Sequence, residues 1–190
     1  MLDEHWEQHY GETPPIAHVL RDQFQDRWVR FHSLPEAKRY ADSESEEAEL
    51  LGRSNAVLSH LAADGARLEL LTTNWSLTNT PATPLKEVCK LGLSVEHWRA
   101  VAMHELDREP DPDYWHVFRS AITWVSGALD NVTRLVADAR LSNVMVLDCT
   151  SSWLYHPYDG GIDVILGTPE ERKRLAADFD AWRSPRPDGL

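Results

Sequence analysis

The stretch from residue 141 to residue 166, LSNVMVLDCTSSWLYHPYDGGIDVIL, constrains the fold more than any other part of the chain. It contains short apolar runs at 144–147, 153–155 and 162–166, and runs of this length between polar residues are typical of buried strands. Asp159-Gly160-Gly161 separates the second run from the third. Because glycine adopts positive φ without steric cost, this tripeptide predicts a tight turn. The stretch is therefore predicted to form a β-meander.

Four polar side chains gather at one end of this predicted meander: His156, Tyr158, Asp159 and Asp163. Imidazole and carboxylate groups are the usual metal ligands and proton carriers near neutral pH, so the four are candidate ligand-binding residues. The alternative is structural, because Asp159 can accept backbone hydrogen bonds within its own turn and Asp163 can point outward from its strand. Turn chemistry alone explains Asp-Gly-Gly, which favours the structural interpretation.

A second informative segment, RFHSLPEAKRY, supplies a local excess of positive charge. Residues 27–40 contain four lysines and arginines against one carboxylate, in a chain whose formal net charge is −12. Five side chains of this segment are candidate ligand-binding residues: Arg30, His32, Lys38, Arg39 and Tyr40. They would form an anion pocket, in which arginine supplies a bidentate fork and lysine a point charge. Charge pairing with the acidic residues at 44–49 or 107–113 is an equally good explanation.

The remaining patterns predict an α+β fold. Apolar periodicity predicts helices at 16–24, 43–63, 127–140 and 168–184, and alternation predicts strands at 26–35, 67–75, 97–106 and 114–125. Several of these strands follow one another without an intervening helix, as hairpin strands do. We expect a single α+β domain over residues 1–190, a sandwich in which a mostly antiparallel mixed sheet packs against helices. Residues 1–13 and 184–190 should be loose termini, and residues 76–94 a long surface excursion.

The hairpin predicted from 97–106 and 114–125 carries three histidines: His97, His104 and His116. Strand alternation places His97 and His104 on opposite faces, so three metal ligands do not converge. The chain contains no HExxH, P-loop, GxSxG, GxGxxG or CxxC motif. Cys149 follows an apolar strand and Asp148, which should raise its pKa and make it a poor nucleophile. We therefore expect neither a metal nor a cofactor.

Charge and cysteine content exclude several classes of partner. A net charge of −12 argues against nucleic acid and anionic membranes, because both are bound through an excess of lysine and arginine. Cys89 and Cys149 are far apart in sequence and form no zinc or disulfide pattern, which fits a reducing cytosol. No apolar run approaches the roughly 18 residues of a membrane span. We expect a cytoplasmic protein.

Two of these stretches also carry a resemblance. Together with TWVSGALDNVTRLVADARLSNVMVLD, the segments RFHSLPEAKRY and WLYHPYDGGIDVIL are similar to an uncharacterised family of bacterial proteins, a domain of unknown function. The similarity covers residues 30–182 and implies a bacterial, cytoplasmic, single-domain protein. It implies no activity, because the family offers no catalytic residues to carry over.

Two functions fit these observations. The first is a non-catalytic binding module that recognises a protein or a small anionic ligand through residues 30–40 and 156–163, and an immunity-type inhibitor of a basic partner is one form of it. The alternative is an enzyme acting on a phosphorylated or carboxylated small molecule. Its pocket would combine six side chains: Arg30, His32, Lys38, Arg39, His156 and Asp159. A third hypothesis, a structural subunit of a homo-oligomer, would be favoured by an exposed tryptophan patch, and the sequence leaves the oligomeric state open.

Overall fold

A computed structural model describes residues 2–107, 113–184 and 186. Seven strands lie in this part of the chain: β1 (Trp28–His32), β2 (Arg67–Ser76), β3 (Glu96–Ala102), β4 (Tyr114–Thr123), β5 (Met145–Leu147), β6 (Leu154–Tyr158) and β7 (Gly161–Ile165). The helices are α1 (Leu2–Tyr10), α2 (Ala17–Gln23), α3 (Glu44–Leu61), α4 (Lys86–Cys89), α5 (Met103–Asp107), α6 (Asp130–Ala137) and α7 (Pro169–Asp178).

The seven strands form one sheet in the order β1-β7-β6-β5-β2-β4-β3. Every neighbouring pair is antiparallel. The predicted α+β class, with a mostly antiparallel sheet packed against helices, is confirmed. The predicted meander is confirmed as well, because β5, β6 and β7 are consecutive in the chain and adjacent in the sheet.

Helices cover both faces of the sheet. On one face, α3, α6 and α7 contribute Val57, Val132 and Leu175 to a buried cluster that includes Leu70 of β2. On the other face, α1 and α2 pack on a cluster that includes Leu71. Leu70 and Leu71 are neighbours in sequence, and side chains alternate along a strand, so β2 contributes buried side chains to both clusters. Among the described residues, no helix is both long enough and apolar enough to cross a bilayer.

The chain reverses between β6 and β7 at the predicted place, but not for the predicted reason. Tyr158 pairs with Gly161, so Asp159 and Gly160 form a two-residue connection. Neither Gly160 nor Gly161 has a positive φ, so that part of the prediction is wrong. What Gly161 supplies is space, because a Cβ atom there would lie 2.3 Å from the Phe31 carbonyl oxygen on β1.

The prediction of a loose N-terminus is wrong for residues 2–10, which form α1. Leu2, Trp6 and Tyr10 are spaced four residues apart, lie on one face of the helix and are buried against the sheet. The many charged residues between them mask this stripe in the sequence. Of the predicted loose C-terminus, residues 185 and 187–190 lie outside the described part.

Two further predictions need correction. The strand expected to run to residue 106 ends at Ala102, and Met103–Asp107 is helical. A register shift between His97 and Arg99 interrupts the pairing with β4, and Met103 is buried in the cluster under α1. The expected acidic tip lies largely outside the described residues, which omit 108–112. The excursion at 76–94 contains α4, whose Val88 is fully buried.

Candidate functional site

A cavity of about 230 Å³ lies between α2 and the sheet. It brings together four of the nine candidate residues, namely Arg30, His156, Tyr158 and Asp163. The other lining residues are Ala17, His18, Arg21, Trp115 and Asn143. The first four come from three adjacent strands, and the register explains their convergence. Asp163 of β7 pairs with Arg30 of β1 on one side and with His156 of β6 on the other.

Arg30 and Asp163 form a bidentate ion pair in this cavity. The Arg30 Nε donates to Asp163 Oδ1 at 2.7 Å, and Nη2 donates to Oδ2 at 2.9 Å. The two side chains are only 13% and 9% exposed. Burial opposes the charge on Arg30, but the hydrogen bonds and the charge of Asp163 outweigh it and raise the pKa of Arg30. The guanidinium therefore has a fixed orientation, and its Nη1 has no hydrogen-bond partner among the described residues.

Two aromatic rings flank the Arg30 guanidinium. Its central carbon lies 4.7 Å from the ring centroid of Tyr158 and 5.3 Å from that of Trp28. Cation–π contacts of this kind hold an arginine in place and keep water from its faces. Burial also raises the pKa of Tyr158, so its hydroxyl stays protonated and can donate a hydrogen bond.

His156 lines the same cavity and has one hydrogen-bond acceptor. Its Nδ1 lies 2.6 Å from the Val144 carbonyl oxygen, which can only accept, so Nδ1 carries the proton. Burial lowers the pKa of His156, although the Val144 hydrogen bond and Asp163 act in the opposite direction. The ring is therefore neutral near pH 7, and its Nε2 lone pair has no partner among the described residues.

Asn143 connects the sheet to α2, which covers the cavity. Its Oδ1 accepts from the Ala17 backbone N–H at 2.8 Å, and its Nδ2 donates to the Pro15 carbonyl at 3.0 Å. Ile16, the N-cap residue of α2, makes no capping hydrogen bond with its own side chain. Asn143, which is distant in sequence, instead accepts the hydrogen bond of a backbone N–H at the start of the helix. Sequence analysis missed this residue. The sequence offers only one indication of its role, which is that asparagine adopts a left-handed backbone more readily than most residues. Asn143 does so in the structure, with a φ of 50°.

The other five candidate residues lie elsewhere. Lys38 binds Glu46 at 2.6 Å and Asp42 at 2.9 Å, as charge pairing with the start of α3 requires. Arg39 binds Asp159 at 2.8 Å, and the Tyr40 hydroxyl donates to the same carboxylate at 3.3 Å.

His32 lines a separate cavity of about 260 Å³ beside Arg53 and Trp182. The six-residue pocket expected for an enzyme is therefore not assembled. Of its members, the cavity under α2 contains Arg30 and His156 alone.

A second polar cluster lies between β3 and β4 and contains two of the three histidines that the sequence places on this hairpin. The Nε2 of His97 is 3.1 Å from the Nδ1 of buried His116, whose Nε2 donates to the Thr78 carbonyl at 2.9 Å. The pair holds the segment after β2 against the sheet. Within the described residues, no group of three or more histidine, cysteine, aspartate or glutamate side chains is arranged to hold a metal ion. Burial raises the pKa of Cys149, with Glu69 and Asp148 acting in the same direction, as predicted.

A family model for a domain of unknown function, DUF3885, matches residues 16–187. The chain belongs to the DUF3885 family. Membership in a family of unknown function, which the resemblance indicated, is thereby confirmed. The matched region of this DUF3885 protein contains every residue that lines the cavity under α2 and leaves α1 outside. No curated protein and no solved structure matches the chain.

Proposed function

We propose that the protein is a non-catalytic binding module for a small anionic ligand, a carboxylate or a phosphate, bound in the cavity under α2. The observation that carries this proposal is the orientation of Arg30. Asp163 engages Nε and Nη2 and leaves Nη1 for a ligand. A guanidinium whose orientation is already fixed loses less entropy on binding an anion than a free one does.

The lining of the cavity favours an anion over a cation. Asp163 is the one carboxylate among its lining residues, and Arg30 already neutralises it. The other groups that can interact with a ligand are mostly donors: the Arg21 guanidinium, the Tyr158 hydroxyl and the Trp115 indole N–H. A ligand that accepts several hydrogen bonds satisfies this set, whereas a cation would find the oxygens of Asp163 and Asn143 already engaged by Arg30 and by the Ala17 N–H.

A small ligand fits the described structure better than a protein partner does. The site is concave, as small-molecule sites are. The immunity-type hypothesis rests on the acidic composition of the chain, with its net charge of −12, and not on a particular surface. We also infer a bacterial, cytoplasmic protein. The similarity of its motifs to bacterial proteins supports the first, and the absence of a disulfide between Cys89 and Cys149 is compatible with the second.

One observation favours a second candidate, an enzyme acting on a phosphorylated or carboxylated small molecule. His156 has its tautomer fixed by Val144, and its free Nε2 faces no protein partner among the described residues. A neutral imidazole beside a bound anion could accept a proton from the ligand. His156→Gln should then keep phosphate binding and abolish any turnover of phosphate esters, whereas a pure binding module shows no turnover in the parent.

The proposal can be tested by thermal unfolding in phosphate, acetate and chloride at matched ionic strength. A ligand that binds only the folded state raises the melting temperature in a concentration-dependent way. Removing Arg30 alone would leave Asp163 buried and unpaired, so the test variant is Arg30→Met with Asp163→Leu. The matched control is Arg39→Met with Asp159→Asn, which removes a second arginine–aspartate pair that does not line the cavity.

We expect phosphate or acetate to stabilise the parent and the control beyond the effect of chloride. The Arg30→Met/Asp163→Leu variant should lose that extra stabilisation. Identical curves for all three proteins, or equal loss in the control, would refute the anion site.

A further inference from the structure

We infer that the ligand is a nucleoside monophosphate, whose phosphate binds Arg30 in the cavity under α2 and whose base stacks on Trp115 and Trp75. This inference rests on the proposed function and adds the chemical class of the ligand. Three observations carry it: the size of the cavity, the tryptophans at one side of it, and the acceptor on His156.

The cavity is too small for a whole ligand of ordinary size. Its volume is about 230 Å³, below the roughly 300–1,000 Å³ of sites that enclose a drug-sized molecule. It can enclose an anionic group and the atoms next to it. The remainder of a larger ligand must therefore lie outside, against whatever surface adjoins the cavity.

That adjoining surface is aromatic. Trp115 of β4 lines the cavity and pairs directly with Trp75 of β2, so both indoles lie on the same face of the sheet. Trp75 is 63% exposed, the largest exposed fraction among the large apolar side chains of the described residues. An exposed indole provides a surface for a flat group, and every nucleobase has a π-face that can stack on one.

His156 distinguishes a nucleotide from a simple aromatic acid. Asp163 and the Asn143 Oδ1 already accept from Arg30 and from the Ala17 N–H, whereas the His156 Nε2 is an acceptor without a partner among the described residues. The best ligand therefore combines an anion with a nearby hydroxyl group that donates. A nucleoside monophosphate has ribose hydroxyls close to its phosphate. An aromatic carboxylate such as indole-3-acetate has the anion and the ring but no hydroxyl.

The charge of the protein limits the ligand to a mononucleotide. Polymeric nucleic acid is held by many cations along its backbone, and this chain has a net charge of −12. Among its described lining residues, the cavity offers only two cations, Arg30, which pairs with Asp163, and Arg21, whose Nε donates to Asp22 at 3.0 Å. Two paired arginines suit a single phosphate group rather than a polyanion. The same tryptophans could instead be covered by a second copy of the chain, and the test includes that outcome.

The experiment is calorimetric titration of the full chain at fixed ionic strength with adenosine 5′-monophosphate, ribose 5-phosphate, inorganic phosphate and indole-3-acetate. The variants are Trp75→Ala and Trp115→Leu. Leu77→Ala is the control, because Leu77 directly follows β2 and is an almost equally exposed apolar residue (62%). Trp75 is exposed, so its variant should fold normally. Sedimentation of each protein reports its oligomeric state.

We expect adenosine 5′-monophosphate to bind at least about tenfold more tightly than ribose 5-phosphate, a difference that one stacked base commonly supplies. Trp75→Ala and Trp115→Leu should reduce this ratio towards one, while Leu77→Ala keeps the ratio. Trp75→Ala should also leave inorganic phosphate binding unchanged, because Trp75 does not line the cavity.

Three kinds of result would overturn the inference. Equal affinity of the parent for adenosine 5′-monophosphate and ribose 5-phosphate, or an unchanged affinity ratio in Trp75→Ala, would show that the base does not contact the tryptophans. Tighter binding of indole-3-acetate than of the nucleotide makes the ligand a carboxylate. Dissociation of a parent dimer by Trp75→Ala without loss of the ratio assigns Trp75 to an interface between copies. In all three, phosphate binding through Arg30 survives, whereas failure of every anion to bind refutes the proposed function itself.

Discussion

Two arginine–aspartate pairs connect the segment at 30–39 to the end of the meander, and they differ in burial. Arg30 and Asp163 are 13% and 9% exposed, whereas Arg39 and Asp159 are 63% and 21% exposed. Both span more than a hundred positions of sequence, and both look the same in composition. Only the first lines the cavity under α2.

The difference shows what turns a cation into a candidate binding group. Arg30 is flanked by Trp28 and Tyr158, and its bidentate contact with Asp163 fixes the plane of the guanidinium. Away from bulk water, each of its hydrogen bonds is electrostatically stronger, and an unpaired charge there is costly. Arg39 lies in water, where its pairing with Asp159 competes with solvation and salt.

The largest effect should come from breaking the buried pair on one side. Arg30→Ala leaves Asp163 buried without its partner, so we expect the free energy of unfolding to fall by about 3–5 kcal/mol. Arg30→Met with Asp163→Leu removes both charges and should cost much less. Urea denaturation of the two variants measures this. A loss for Arg30→Ala no larger than that of the double variant would mean that the pair is not effectively buried.

A smaller loss of stability is expected when alanine replaces Gly161 at the turn, and a smaller one still when it replaces Gly160. In Gly161→Ala, the new Cβ would lie 2.3 Å from the Phe31 carbonyl oxygen and 2.6 Å from the Tyr158 hydroxyl, so the strands beside Arg30 must shift. We expect a loss of about 1–3 kcal/mol, typical of overpacking. In Gly160→Ala, the nearest atom is the Tyr158 ring at 3.2 Å, and the loss should be smaller. Equal melting temperatures for the two variants would contradict this explanation of Gly161.

The sequence was sufficient for the parts of the site that depend on local signals. The meander, its turn and the gathering of His156, Tyr158 and Asp163 at one end follow from apolar runs and strand alternation. Alternation also places Arg30 and His32 on one face of their strand. These relations concern residues a few positions apart, for which backbone geometry alone determines which side chains lie on the same face.

The partners of the cations could not be predicted in the same way. Pairing of β1 with β7 is a contact between distant segments, so nothing near Arg30 in sequence indicates Asp163 rather than Asp159. The cover of the cavity depends on Asn143 holding the start of α2, again over a long separation. Local periodicity contains no information about such contacts, and α1 was missed because its apolar stripe is only three residues long.

His156, beside the buried pair, should make stability depend on pH. Burial lowers its pKa in the folded state below the ordinary value of 6.5. The unfolded chain then binds a proton more readily, so stability is full above about pH 6.5 and falls as the pH decreases towards the folded pKa, by at most about 1.4 kcal/mol per pH unit. His156→Gln should flatten this dependence between pH 7 and the folded pKa. Urea denaturation of both proteins across that window measures it, and parallel pH profiles would contradict the assignment.

The smallest effect should come from the exposed pair. Arg39→Met removes one partner of Asp159, but position 39 is 63% exposed and the Tyr40 hydroxyl still donates to the same carboxylate. Solvation and this remaining contact offset the lost ion pair, so the melting temperature should change less than in any variant above. A double-mutant cycle with Asp159→Asn isolates the coupling between the two side chains from their other contacts. Because the charges are exposed, the coupling should shrink further when salt is raised from low to molar concentration. The coupling between Arg39 and Asp159 could instead persist in molar salt at the size measured for Arg30 and Asp163. Burial would then not distinguish the two pairs. The argument for a single anion site at Arg30 would weaken in favour of the wider pocket that the sequence suggested.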